Sequence, residues 1–342
     1  MAAATRWLRS SPSEVQFPPS VLREYALLAD GERGALVGPR GEVAWTCAPS
    51  WDSAAVFSGL LGGNGTYAVT PTELRAVWGG YYEPGSLIWV ERWITTHAII
   101  ECREALALPS DPHTAVVLRR LRAIQGDAVL MADLWPRADF GRHPMRDLRR
   151  RGGRWSARSG SLWLRWSGAS RALRSEDGLR AAFRLAPGQH HDLVLEISDR
   201  AFKDGPPDAD RTWQQTEAAW SEAVPRLDAC LNSRQAGHAY AVLHGLTTRA
   251  GGTVGAATTS LPERAESGRD YDYRYAWIRD QCYVGQALAG CGPPAQGLGP
   301  LPADLRRRPE ANCPAGLGGP GGQMERAGRP ASELGRLGLP AS

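Results

Sequence analysis

The feature that most constrains the fold is a change of period near residue 205. Up to that point apolar residues come in short runs separated by turn formers. After it they recur at helical spacing. The boundary is Asp204-Gly-Pro-Pro-Asp-Ala-Asp210, where Gly and Pro break regular structure and the acids suit the start of a helix. Upstream, Gly34 to Gly38 and Glu42 to Cys47 flank a Pro39-Arg-Gly41 turn and predict a hairpin. Further strands are predicted over 65–70, 86–93, 97–106, 115–124, 128–134, 161–166, 179–185 and 191–198. Within 161–166, Leu162, Leu164 and Trp166 alternate onto one face. Many short strands with few helical patterns predict an antiparallel β-sandwich over residues 21–205, after a tail at 1–20.

Downstream, Thr212 to Leu231 has a helical pattern interrupted at Pro225, and Arg234 to Arg249 predicts a second helix that Gly251-Gly252 would end. A third is expected over 281–288. His238 and His244 fall in the second helix, where packing or solvation explains a histidine better than ligand binding does.

The chain has 342 residues, 42% of them hydrophobic, so a sizeable core is possible. Its net charge is +4, and Lys203 is the only lysine. The locally basic stretch from Arg142 to Arg154 has no nucleic-acid-binding motif, and no nucleic-acid partner is expected. Six cysteines are scattered without a C-x-x-C pair or zinc-like Cys/His spacing, so free thiols and no metal or cofactor are expected. Residues 1–14 lack the apolar core of a secretory signal, and nothing resembles a membrane span; a cytoplasmic protein is the expectation. Residues 290–342 hold 12 Gly and 9 Pro and no aromatic residue. Such a segment is expected to be disordered and has the bias of an out-of-frame reading.

One stretch carries unusual chemistry. Gly268-Arg-Asp-Tyr-Asp-Tyr-Arg-Tyr-Ala-Trp-Ile-Arg-Asp280 packs three tyrosines, a tryptophan, three arginines and three aspartates into thirteen positions. Sugars suit that mixture, since their CH faces stack on aromatic rings and their hydroxyls pair with carboxylate and guanidinium groups. If the stretch is helical, Tyr273, Trp277 and Asp280 share one face. If a helix begins near Asp280 instead, Asp280 is its N-cap and the aromatics form a wall leading into it. An ordinary amphipathic helix, with rings in the core and charges in water, remains the structural alternative.

Ala256-Ala-Thr-Thr-Ser-Leu-Pro-Glu263 followed by Tyr271-Asp-Tyr-Arg-Tyr-Ala-Trp-Ile-Arg-Asp280 resembles the start of the catalytic barrel of glycoside hydrolase family 15, which holds glucoamylases, glucodextranases and bacterial α,α-trehalases. Asp30-Gly31, Gly34-Ala-Leu-Val-Gly38, Gly41-Glu-Val-Ala-Trp45 and Trp51-Asp-Ser-Ala-Ala-Val-Phe57 are similar to the N-terminal sandwich of its trehalase-like branch, as are Tyr82 to Ser86 and Pro136 to Gly141. The resemblance implies a mainly β chain with α segments: a sandwich, a linker helix at 206–232, and an incomplete (α/α)6 barrel started by 233–289, the chain being truncated or frame-shifted after that. It implies inverting hydrolysis of an α-glucoside, trehalose or a maltodextrin, with Tyr273, Trp277, Arg279 and Asp280 binding the sugar. Trp51-Asp52 could sit on a loop reaching the site, although a structural turn is the commoner role.

Inversion needs a carboxylic acid and a water-activating carboxylate, roughly 6.5–9.5 Å apart. In the family both are glutamates of later barrel segments, and no position here matches them, so no catalytic residue is assigned. Glu263, Asp270, Asp272 and Asp280 are the nearest carboxylates, and the family gives none of them that task. The competing expectation is a non-catalytic sandwich, inert or serving as an interaction module.

Overall fold

The computed structural model describes residues 17–73, 75–175, 177–228, 230–259 and 271–291. The expected tail from residue 292 onward, Glu263 and Asp270 lie outside the described residues.

Every strand pairing between named strands is antiparallel, in three sheets. The first runs β1 (Ala26–Ala29), β2 (Gly34–Val37), β3 (Val43–Cys47), β4 (Ala55–Phe57). The second has the order β14 (Leu173–Arg174), β15 (Leu179–Leu185), β10 (Ala128–Trp135), β5 (Thr66–Pro71). The third, eight strands wide, runs β11 (Met145–Arg151), β12 (Arg154–Ser159), β13 (Leu162–Ser167), β16 (His190–Ser198), β9 (Thr114–Gln125), β8 (Ile99–Leu106), β7 (Trp89–Ile94), β6 (Val77–Tyr82). Inward residues of all three sheets meet in one apolar core, among them Leu28, Val37, Tyr67, Val69, Ile100, Leu121, Leu130, Leu134 and Trp166. Leu162, Leu164 and Trp166 are all buried, as their alternation predicts.

Strands lacking that alternation escape the sequence. In β11 a bulge between Arg146 and Arg149 breaks the period, so buried Met145 and Leu148 stand three apart. In β6, Gly79-Gly80 interrupts the pattern. A Cβ on Gly80 would come within 2.1 Å of the Trp89 ring, so the ring requires a glycine there.

Three helices follow: α1 (Ala209–Ala223), α2 (Ser233–Gly245) and α3 (Ile278–Gly290). Asp208 caps α1 through Arg211 N at 2.8 Å, and Asn232 caps α2 through Gln235 N at 3.1 Å. The first helix does not continue to Leu231: Pro225 pushes Val224 into an extended conformation and the helix stops. The second ends at Gly245 rather than near Arg249, because Gly245 O accepts from Gly31 N at 2.9 Å and the chain turns back on itself through Thr247 and Thr253. The third is longer than expected at both ends.

A second apolar cluster joins α1 and α2 to the sandwich, with Trp213, Trp220, Leu87, Ile88 and Leu118 at its centre. The Trp213 ring lies under Arg103 (4.4 Å) and Arg120 (5.8 Å) of the wide sheet, and its Nε1 donates to Asp192 at 3.1 Å. His238 and His244 pack against Tyr82 and Trp220, and burial lowers the pKa of both. By contrast, no residue of α3 is fully buried, and Ile278 and Tyr283 are each 68% exposed. Among the described residues no helix is long and apolar enough to cross a membrane.

Candidate functional site

Residues 271–277 are not helical, so Tyr273, Trp277 and Asp280 do not share a helical face. The segment runs beside 254–259 with a bend at 274–275, bridged at Val254–Ala276 and Thr259–Asp272. Gly255 N donates to Tyr275 O at 3.0 Å and Ala256 N to Tyr273 O at 2.8 Å. Trp277 holds the N-cap position of α3 without a side-chain cap, so Asp280 stands in the first turn rather than at the cap. An acid there suits the positive end of the helix dipole. This arrangement is close to the second sequence alternative, a wall of rings leading into a helix.

The rings make that wall. Tyr273 and Trp277 have centroids 5.4 Å apart and planes inclined by 35°, and Tyr271 meets Trp277 edge-on at 6.2 Å. Gly255 lets them approach: a Cβ there would come within 3.1 Å of the Trp277 ring. The Trp277 indole Nε1 is buried and has no hydrogen-bond partner among the described residues. Arg279 is 72% exposed and donates to Asp280 Oδ2 at 3.1 Å. Thus the structure brings Tyr273 and Trp277 together, and it sets Arg279 and Asp280 as a pair in the helical turn that Trp277 opens. Gln281 fastens that turn from behind, accepting from Thr253 N at 2.8 Å and donating to Gly251 O at 3.1 Å.

What fixes the wall to the sandwich is Arg274, which the sequence reading passed over. Its Nε and Nη2 engage both oxygens of Asp272, at 2.9 and 2.6 Å. Nη1 donates to Ser53 O (2.8 Å), Trp51 O (3.2 Å) and Cys47 Sγ (3.1 Å). The guanidinium also lies 5.9 Å from the Trp45 ring centroid, and Trp45 Nε1 donates to Ala257 O at 3.0 Å. Burial works against the Arg274 charge, but Asp272 and Cys47 outweigh it and hold the group above its usual range. Burial likewise pushes the Cys47 thiol up to about 11, with Arg274 pulling the other way. The signal was present: an Asp readily accepts from the backbone N–H two residues on, as Asp272 Oδ1 does from Arg274 N at 3.0 Å, and that turn sets the two side chains beside each other.

Trp51 turns out to be a packing residue. Its ring fills the space over Gly34, where a Cβ would come within 2.6 Å, and its Nε1 donates to Gly31 O at 2.9 Å. The 51–53 loop does reach the segment, through carbonyl oxygens rather than through the indole. Asp52 is exposed and accepts from Ser50 Oγ at 2.6 Å.

Of the nearest carboxylates, Asp272 has both oxygens engaged by Arg274 and Asp280 pairs with Arg279. Elsewhere His190, Asp192 and Asp210 could each offer one ligand atom to an ion, but Arg120 bonds both aspartates and Trp213 takes Asp192 as well. That leaves little donor capacity for a metal.

A family model described as "Trehalase-like, N-terminal" matches residues 15–220, and one described as "Glycosyl hydrolases family 15" matches residues 237–300. A trehalase of Mycobacterium tuberculosis is 28% identical over 314 residues, covering 80% of this chain and 44% of that protein. A trehalase of Mycolicibacterium smegmatis is 28% identical over 308 residues, covering 78% and 44%. The chain therefore spans under half the length of these two curated relatives. Among solved structures, a bacterial glucoamylase complexed with acarbose aligns with a TM-score of 0.52 at 12% identity, covering 80% of this chain and 49% of that one. That likeness bears on the fold alone.

Proposed function

The chain belongs to the trehalase-like N-terminal family, continued by a glycosyl hydrolases family 15 segment, and from that premise we propose that it serves the hydrolysis of an α-glucosidic bond by binding and orienting the sugar. The substrate class is trehalose or a maltodextrin. Tyr273 and Trp277 offer a flat apolar surface to the CH face of a glucose ring, while Arg279 and Asp280 donate to and accept from its hydroxyls. In this reading α2 and α3 are the opening helices of an (α/α)6 barrel and α1 is the linker helix. The observation that carries the proposal is the Arg274 anchorage: it holds the aromatic wall on a finished sandwich, so the site is pre-organised rather than ordered by its ligand.

The same geometry argues that these residues position and do not cleave. An inverting enzyme needs one carboxyl group free to give a proton and another free to activate water. Asp272 is buried with both oxygens engaged by Arg274, which leaves Asp280 without a second available carboxyl group in the described part of the 271–280 segment. On this reading residues 271–280 are the sugar-holding half of a site.

Glucose release from trehalose and maltose by the purified chain tests this directly, alongside a titration of each sugar. Binding without glucose release above background is expected. Arg279→Ala or Asp280→Ala should weaken binding about tenfold or more, since a charged hydrogen bond contributes roughly 1.5–3 kcal/mol. Clear turnover would overturn the assignment. The second reading, an interaction module, is favoured by one feature, the uncovered face of α3 around Ile278 and Tyr283. It would gain if neither sugar bound at all.

A further inference from the structure

On the outer face of the β14-β15-β10-β5 sheet the chain builds a cavity of about 720 Å³, lined by none of the residues 271–280. Side chains alternate along β10, so Leu130, Ala132 and Leu134 enter the core while Met131, Asp133 and Trp135 take the opposite face. Trp135 lines the cavity together with Tyr25, Asn64, Arg137 and Asp177. One wall is the glycine-rich turn from Gly59 to Gly65, in which Gly62 and Gly65 have positive φ. At Gly65 a Cβ would come within 2.6 Å of Val56 O, so no larger residue fits there.

The cavity is preformed. Ser58 Oγ donates to Asn64 O at 2.9 Å, and Gly63 N donates to Ser58 O at 3.0 Å, closing the turn on itself. Arg137 N donates to Val56 O at 3.1 Å, and the Arg137 side chain is paired with Asp177. Both members of that pair are only partly buried, at 31% and 28% side-chain exposure, so each keeps capacity for a ligand. Tyr25 is held in place by Ser20 N, which donates to its hydroxyl at 2.8 Å.

The lining chemistry selects among ligands. An anion would meet Asp177 and a cation would meet Arg137, so neither gains from the pair as a whole; the other lining acid, Glu42, is buried and accepts from Arg40 N at 3.0 Å. A neutral polyol gains from both, accepting from the guanidinium and donating to the carboxylate, while Asn64 adds an amide that does either. Tyr25, half-buried, adds ring surface for CH groups, and Trp135, 6% exposed, lines the cavity behind it. Small-ligand pockets run from about 300 to 1,000 Å³, which leaves room here for more than one sugar ring. We propose that this cavity is a second saccharide-binding site, built on the sandwich alone and separate from the 271–280 segment. Only the choice of α-glucosides as probes rests on the functional reading above.

The test is saturation-transfer difference NMR on the full chain with trehalose, maltose and lactose as probes. In the double variant Arg279→Ala/Asp280→Ala, sugar signals should persist, and adding Arg137→Met and Asp177→Asn should reduce them at least fivefold. Asn64→Trp, at an exposed loop position, obstructs the cavity without touching the ion pair and should have the same effect if the ion-pair variant folds poorly. The site is refuted if no probe gives a signal once Arg279 and Asp280 are replaced, or if signals survive both Asn64→Trp and the Arg137/Asp177 changes. Signals from lactose alone, with the same dependence on Asn64 and Arg137, would support the saccharide site while overturning the α-glucoside reading.

Discussion

Arg274, where the 271–277 segment meets the sandwich, and Arg119, inside the sandwich, are both buried, in different company. Each nitrogen of Arg274 has a partner, and its one carboxylate, Asp272, gives both oxygens to it. Arg119 is fully buried with its Nε 2.9 Å from Glu104 Oε1, yet none of its three nitrogens makes a well-formed hydrogen bond among the described residues. It stacks 4.3 Å from the Tyr67 ring. Glu104, Glu91 and Glu42 all lie close enough to sense its charge. At the junction the charges balance one to one and the geometry is closed. In the core three carboxyl groups face one guanidinium, and burial raises the pKa of all three. A buried ion pair can fix a shape or favour the protonated form of the acids around it, and these two differ in that way.

The largest expected effect comes from opening the junction. Arg274→Ala leaves Asp272 buried without its partner, and breaking such a pair costs about 3–5 kcal/mol. Urea denaturation followed by tryptophan fluorescence should show it. A loss under about 1 kcal/mol would mean the junction is not closed as described.

Next in size is the pH response of the core. Burial, then Glu104 and Glu42, raise the Glu91 pKa well above 4.5, with Arg119 opposing. Between the ordinary value and the raised one, the folded state keeps a proton that the unfolded chain has lost. Stability from this group is thus complete at acid pH and is lost as pH rises towards the folded-state value, by about 1.4 kcal/mol per pH unit. Glu91→Gln should flatten that slope, read from denaturation midpoints across pH. An unchanged slope would move the proton to Glu104 or Glu42. Arg274→Ala, by contrast, should lower stability while Glu91→Gln in that background still flattens the slope.

Two smaller tests sharpen the junction. Cys47→Ala removes one of three acceptors around Arg274 Nη1 and should cost about 1 kcal/mol, since the Trp51 and Ser53 carbonyls remain. Asp52→Ala, exposed on the same loop, should change stability by no more than about 0.5 kcal/mol. A larger effect in the same denaturation assay would give Asp52 a part in the junction that its contacts do not show.

The sandwich was legible wherever apolar residues alternate, as in 161–166 and 128–134, because a half-buried strand imposes that period. It was illegible in β11, where a bulge shifts the face, and in β6, where Trp89 takes the place of a side chain. For the candidate site, composition marked the right thirteen residues, since Tyr, Trp, Arg and Asp at such density have few other uses. It could not say that Arg274 points into the sandwich while Arg279 stays in water. That distinction depends on Cys47, Trp51 and Ser53, more than 220 residues away in sequence.

Those separations have a consequence in time. The contacts that seat the 271–277 segment span 212 to 227 residues, from Trp45–Ala257 to Cys47–Arg274. A chain made from its N-terminus finishes the strands first and offers them as a template before Arg274 has been synthesised. Closing so long a loop is slow in a fluid chain, but here one end is already a rigid sheet with its carbonyls aimed. The aromatic wall is therefore a late arrival that inherits its shape from an older surface. A defect in the β3–β4 loop would be felt as a wall that never sets rather than as one that falls.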